Sequence, residues 1–148
     1  ARRAIHAETL IVIAAAFGIG SALENSGVAD LLGTSIVGTL QPWGEVAVLL
    51  ALVVATIVLT ELITNNAAAV LMFPVAMAAA ARIDADPRPF AVALAVAASA
   101  SFLTPIGYQT NTMVYGPGGY RFTDYFRLGI PLTLVVILTI ALAVPAFW

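Results

Sequence analysis

Charge is confined to a few short places along this chain. Uncharged runs cover residues 9–23, 31–44, 46–60, 62–81, 89–120 and 128–148. Of the 148 residues 61% are hydrophobic and only 9% charged, whereas a soluble domain carries about a quarter charged residues. A domain this small leaves much of its surface wet in water, so the apolar surplus has no core to enter. The pattern predicts a membrane-embedded chain and excludes a water-soluble enzyme or a disordered tail. The six basic residues, all arginine, and eight acids give a net charge of −2, which provides no electrostatic basis for binding nucleic acid. There is no cysteine, so disulfides, thiolate metal sites and cysteine nucleophiles are excluded. The single histidine, His6, has no second imidazole with which to hold a metal. Nor does it form a hydrolase site with Ser21 and Glu24, because His6 and Ser21 fall near opposite ends of the first helix. No catalytic residue, organic cofactor or transition metal is expected. The chain opens Ala-Arg-Arg with no signal-peptide pattern and reads as part of a longer protein.

A simple helical span needs roughly 20 apolar residues. Residues 128–148, rich in Leu, Val and Ile and ending in Phe147-Trp148, meet that as the last transmembrane helix. Residues 8–25 span if their polar ends are included, and Gly18, Gly20 and Ser21 suit close packing against a neighbour. Residues 28–40 read as a short helix, stopped by Gln41-Pro42-Trp43-Gly44. Tyr115, Tyr120, Tyr125 and Phe126 read as an interfacial aromatic belt ahead of the last helix. With Arg2, Arg3, Arg121 and Arg127 cytoplasmic, four of the six arginines lie inside, as lipid topology prefers. The expected address is the plasma (inner) membrane, crossed several times.

Two segments do not fit simple spans. Residues 44–82 are helix-like on both sides of Thr64-Asn65-Asn66, residue types that are poor inside helices and good at their N-caps. A surface loop attracts charge, and this one has only Glu61 nearby. The expectation is a re-entrant helical hairpin with its tip at 64–66, inside the membrane where protein or a watery cavity satisfies the backbone. Residues 89–120 contain Thr104-Pro105-Ile106-Gly107 and a polar row as far as Thr112. Proline lacks a donor and glycine is permissive, so this is expected to be a broken transmembrane helix, unwound about Thr104 to Gly107.

Broken helices in pairs are the strongest sequence pointer to a transporter site. The arm that starts after Thr64, Asn65 and Asn66 offers a positive helix end and free N–H groups to an anion without any lysine or arginine. The arm that ends at Ile63 offers carbonyls to a small hard cation such as sodium. Thr104, Pro105 and Gly107 repeat the offer in the second break. The competing reading is that both polar segments are interhelical glue in a non-transporting membrane scaffold. Glu61 is costly within an apolar arm. Three roles are open to it: orienting other groups, carrying a coupling ion or proton, and structural pairing.

These residues resemble a known family. Thr60-Glu61-Leu62-Ile63-Thr64-Asn65-Asn66-Ala67-Ala68-Ala69 with Phe73-Pro74 is similar to the second Ser-Asn-Thr hairpin of the divalent anion/sodium symporter family, in the ion transporter superfamily. The stretch from Phe102-Leu103-Thr104-Pro105 through Asn111 to Gly118-Gly119-Tyr120 resembles the unwound helix that follows it, and Phe122 to Leu132 resembles the lead into the last helix. Gly18 to Gly27 is similar to the start of the same half. The resemblance implies an all-α secondary transporter of two inverted repeats, with residues 1–148 forming one transmembrane domain, the C-terminal repeat. The N-terminal repeat of the same protein would be its missing partner, the lipid bilayer its surroundings, and a homodimer its assembly. It implies sodium-coupled uptake of a small divalent anion by alternating access, with Thr64, Asn65, Asn66, Thr104 and Pro105 on the anion. Thr60, Ile63, Asn65 and the backbone near Leu103 would hold sodium, and Asn111 would stand for the family's asparagine after Thr-Pro. Here the tip reads Thr-Asn-Asn, and the usual Thr-Pro-Pro-Asn of the dicarboxylate branch is stretched to Thr-Pro-Ile-Gly-Tyr-Gln-Thr-Asn. That longer form resembles the sulfate-type branch and favours an inorganic oxyanion over a dicarboxylate. A proton-coupled antiporter of the same superfamily, with Glu61 as proton carrier, is the alternative.

Overall fold

A computed structural model describes residues 11, 14–15, 18–19, 21–23 and 25–147. The span expected at 8–25 therefore lies largely outside the described residues, as do His6 and Glu24. The fold is all-α. Its elements are α1 (Val28–Leu40), a 3-10 turn (Gln41–Trp43), α2 (Glu45–Leu62), α3 (Asn65–Arg82), α4 (Pro87–Ala98), α5 (Gln109–Tyr115) and α6 (Phe122–Phe147).

The helix boundaries follow from side chains that satisfy free backbone donors. Thr64 is the N-cap of α3 and accepts from the Ala67 N–H (3.3 Å), so Asn65 and Asn66 belong to the first helical turn and the non-helical link is Ile63-Thr64 alone. Asp86 caps α4 by accepting from the Arg88 N–H (2.9 Å). The helix thus starts at Pro87, where a missing donor costs nothing. Asp124 reaches back to the Arg121 N–H (2.7 Å), half of a capping box. That reciprocal bond starts α6 at Phe122 rather than at Leu128.

Helices α2 and α3, joined by the two-residue link, pack against one another, and α3 packs most extensively against α1 and α4. Helix α4 also lies along α2, and α6 closes over α2 and α4. Small residues make the close packing possible. Ala68, Ala76, Ala79 and Ala80 of α3 and Ala93, Ala97 and Ala98 of α4 are all buried, and Gly33 brings α1 down on the Ala79 backbone. Phe90, 1% exposed, is the largest fully buried side chain. Pro74 lies inside α3 and is buried; it has no N–H to give to the carbonyl one turn earlier.

The outside is as apolar as the inside. Among the described residues two helices are long and apolar enough to cross a membrane, Glu45–Leu62 and Phe122–Val144, and only 22% of the most apolar stretch of the second is buried against the rest of the fold. Its exposed side chains include Leu128, Leu134, Leu138 and Leu142. At the rim, Arg82 makes a bidentate pair with Asp30 (2.8 Å to both carboxylate oxygens). Both side chains are well exposed, 40% and 62%, so the pair contributes little to stability. The expected outcome in detergent melts is a loss of less than about 1 kcal/mol for Asp30→Asn, against about 3 kcal/mol or more for Phe90→Ala, which opens a cavity.

Candidate functional site

Residues 99–108 contain no helix, a longer break than Thr104–Gly107. The ten-residue stretch releases backbone groups between α4 and α5, and hairpin α2–α3 supplies many of their partners. Thr60 is fully buried one turn from the end of α2. Its Oγ1 lies 2.7 Å from the Ala98 carbonyl and 2.8 Å from Asn65 Oδ1. One hydroxyl proton cannot serve two acceptors. Both contacts are satisfied when Thr60 donates to Ala98 and the Asn65 amide is turned so that Nδ2 donates to Thr60. Ser101, also buried, approaches the Thr60 carbonyl at 3.4 Å.

Glu61 is 5% exposed, and no arginine among the described residues pairs with it. The Leu103 N–H donates to Oε1 (2.7 Å) and the Thr104 hydroxyl donates to Oε2 (2.8 Å). Thr104 Oγ1 in turn accepts from the Gly107 N–H (3.0 Å). The carboxylate thus bonds to the break rather than to the hairpin tip. Gly107 is required by space: a Cβ there would collide with Ser101 Oγ and come within 2.7 Å of Glu61 Oε2.

The far side of the break is held from α5 and α6. Asn111 Nδ2 donates to the carbonyls of Ser101 (3.0 Å) and Thr104 (3.1 Å), and the Thr112 hydroxyl donates to the Pro105 carbonyl (2.7 Å). The Tyr125 hydroxyl donates to the Asn111 carbonyl (2.9 Å), and its ring meets those of Tyr115 and Tyr120 at 6.1 and 6.2 Å. Tyr125, half-buried, therefore ties the start of α6 to α5 beside the break.

The structure thus gathers Thr60, Glu61, Asn65, Leu103, Thr104, Gly107 and Asn111 into one hydrogen-bonded network. Ile63 sits half-buried at the turn, its N–H donating to Leu59, and Pro105 is buried in the break. Thr64 and Asn66 are exposed at the tip, and the Asn66 side chain makes no hydrogen bond among the described residues. The N–H groups of Asn65 and Asn66 have no partner within their own helix. What the tip offers an anion is therefore amides and a positive helix end. Thr104 differs, since its one proton already lies on Glu61. Ser101 and Gly129, both buried beside the break, are not singled out by the sequence, and Tyr125 is read there only as an interfacial aromatic. Only Gly129, interrupting a Leu- and Ile-rich run, carried a visible signal.

Comparison with known proteins identifies a family. The family model described as sodium:sulfate symporter transmembrane region matches residues 3–148. An uncharacterized transporter of Synechocystis sp. is 43% identical over 141 residues, covering 95% of this chain and 23% of that protein. Sodium/sulfate cotransporter 1 of Chlamydomonas reinhardtii is 40% identical over 131 residues, covering 88% of this chain and 15% of its own length. An uncharacterized transporter of Escherichia coli is 37% identical over 145 residues, covering 98% and 24%. The chain spans about a quarter or less of the length of the relatives it matches.

The site's network is a stability element in its own right. Gly107→Ala should destabilise the fold by about 1–3 kcal/mol, because the methyl group displaces Ser101 and Glu61 together. Thermal unfolding, with limited proteolysis of the 99–108 stretch, checks this; an unchanged melt and cleavage rate would show that the break has room to spare.

Proposed function

As the chain belongs to the sodium:sulfate symporter family, we propose that it forms the C-terminal repeat of a secondary transporter that couples sodium to uptake of a divalent oxyanion of the sulfate type. The observation that carries this reading is the joining of two helix breaks through adjacent residues of α2. Thr60 touches the tip residue Asn65 and the end of α4, and Glu61 touches Leu103 and Thr104. Opposite helix ends and free amides are thereby held around one small volume, which suits an anion and a cation side by side.

In this reading α2–α3 is a re-entrant hairpin and α4–break–α5 an unwound transmembrane helix of a multi-pass protein in the plasma (inner) membrane. Thr64, Asn65 and Asn66 donate to the anion from side chains and from the start of α3. Thr104 and Pro105 line the same space by shape, because the Thr104 proton is committed to Glu61. Sodium is held by Thr60, by the Ile63 and Leu103 carbonyls and by Asn65 Oδ1, which the turned amide leaves free. Gly107 and Asn111 shape the break. The missing N-terminal repeat completes the site by symmetry, two such proteins form a dimer, and alternating access moves the site across the membrane. Sulfate is preferred over a dicarboxylate because the Thr104–Asn111 stretch has the longer form that resembles the sulfate-type branch, and because relatives of this chain are named sodium/sulfate cotransporters.

Uptake of labelled sulfate by proteoliposomes of the intact protein tests this. An inward sodium gradient should drive it, and Asn65→Ala should reduce it by about tenfold or more with folding preserved, as expected when a group making several polar contacts is lost. Uptake unchanged by Asn65→Ala would remove the hairpin tip from the site. Sodium-independent exchange with a steep pH dependence, abolished by Glu61→Gln, would establish proton-coupled antiport instead.

A further inference from the structure

The Phe102–Leu103 peptide is gripped on both edges. On one edge its N–H donates to Glu61 Oε1 at 2.7 Å. A trans peptide directs its carbonyl the opposite way, and all described peptides are trans. On that opposite edge lies Gly129 of α6, buried and so close that a Cβ would collide with the Phe102 carbonyl oxygen and lie 2.8 Å from its carbon. A buried carboxylate on α2 and a bare backbone on α6 thus fix the plane of one peptide in an otherwise non-helical stretch. The second carboxylate oxygen fixes Thr104 as well, at 2.8 Å.

We propose that Glu61 and Gly129 are positioning residues for Leu103, a two-sided clamp: Gly129 seats the Phe102–Leu103 peptide, and Glu61, bonded to the Leu103 N–H and to the Thr104 hydroxyl on either side of the Leu103 carbonyl, sets that carbonyl's direction and thereby the affinity for sodium. This rests on the sodium-coupled reading above. Neither residue touches the ion. Glu61 acts through the N–H it accepts and Gly129 through the space it leaves, as outer groups around a metal site set the aim of the ligands themselves. The clamp needs the reach of Glu61 rather than its charge, since the bond to Leu103 asks only for an acceptor oxygen at that distance.

That separates two conservative variants. Glu61→Gln loses the charge but keeps an oxygen within reach of Leu103. Glu61→Asp keeps the charge but withdraws it by one methylene. In sodium-driven sulfate uptake by the intact protein, Glu61→Asp should raise the half-saturating sodium concentration by about tenfold or more. Its KM for sulfate, measured at saturating sodium, should stay within about twofold. Glu61→Gln should shift the sodium dependence by much less. Gly129→Ala, where it folds, should behave like Glu61→Asp, because its methyl group pushes on the Phe102 carbonyl and the Leu103 Cα and so moves Leu103 away from Glu61. Equal damage from Gln and Asp, or a milder effect of Asp than of Gln, would overturn the clamp and make the charge of Glu61 the operative property. Sodium dependence unchanged in Glu61→Asp would overturn it as well. Absence of sodium-driven uptake by the unaltered protein would overturn the transport reading itself, which keeps the two failures apart.

Discussion

A helix interrupted in apolar surroundings must find partners for every N–H and C=O that it releases. The structure depends on how that demand is met over residues 99–108. Glu61 takes one N–H and a hydroxyl, Thr60 serves the Ala98 carbonyl, Asn111 serves two carbonyls and Thr112 a third. All of these partners are uncharged or acidic side chains of the neighbouring helices. The break is therefore stable only while α2, α5 and α6 hold their present relation to it, and so its shape is a property of the whole assembly.

Much of this is legible in the sequence because it is a matter of residue type. Thr, Asn, Pro and Gly in charge-poor stretches locate both breaks, and the Leu- and Ile-rich run from Leu128 announces the last helix. Boundaries were less legible. Asp124 begins α6 six residues before Leu128 by a bond to a backbone N–H three positions earlier, which a count of apolar residues ignores. Thr64 caps α3 directly, drawing Asn65 and Asn66 into the helix.

Partners distant in sequence were not legible at all. Nothing local links Glu61 to Leu103, 42 positions away, so several roles stayed open for it until the fold brought the two together. Tyr125 has the composition of an interfacial aromatic, and its bond to the Asn111 carbonyl, 14 positions away, is not visible in that composition. Serine at 101 is an unremarkable residue in an alanine-rich run, yet it is buried and set against the end of α2. In each case the local pattern gives the residue's chemistry, and only tertiary packing gives its partner.

The buried proline of α3 has a mechanical consequence. An ordinary helix resists bending because each turn is stitched to the next by backbone hydrogen bonds, and at Pro74 one stitch is missing from the outset. The tip-bearing part, Asn65 to Phe73, can tilt against the part from Val75 to Arg82 without breaking that bond. The close approach of Gly33 to the Ala79 backbone holds the far end to α1. The arm is thus a lever with its own built-in joint, anchored at the rim and compliant toward the tip.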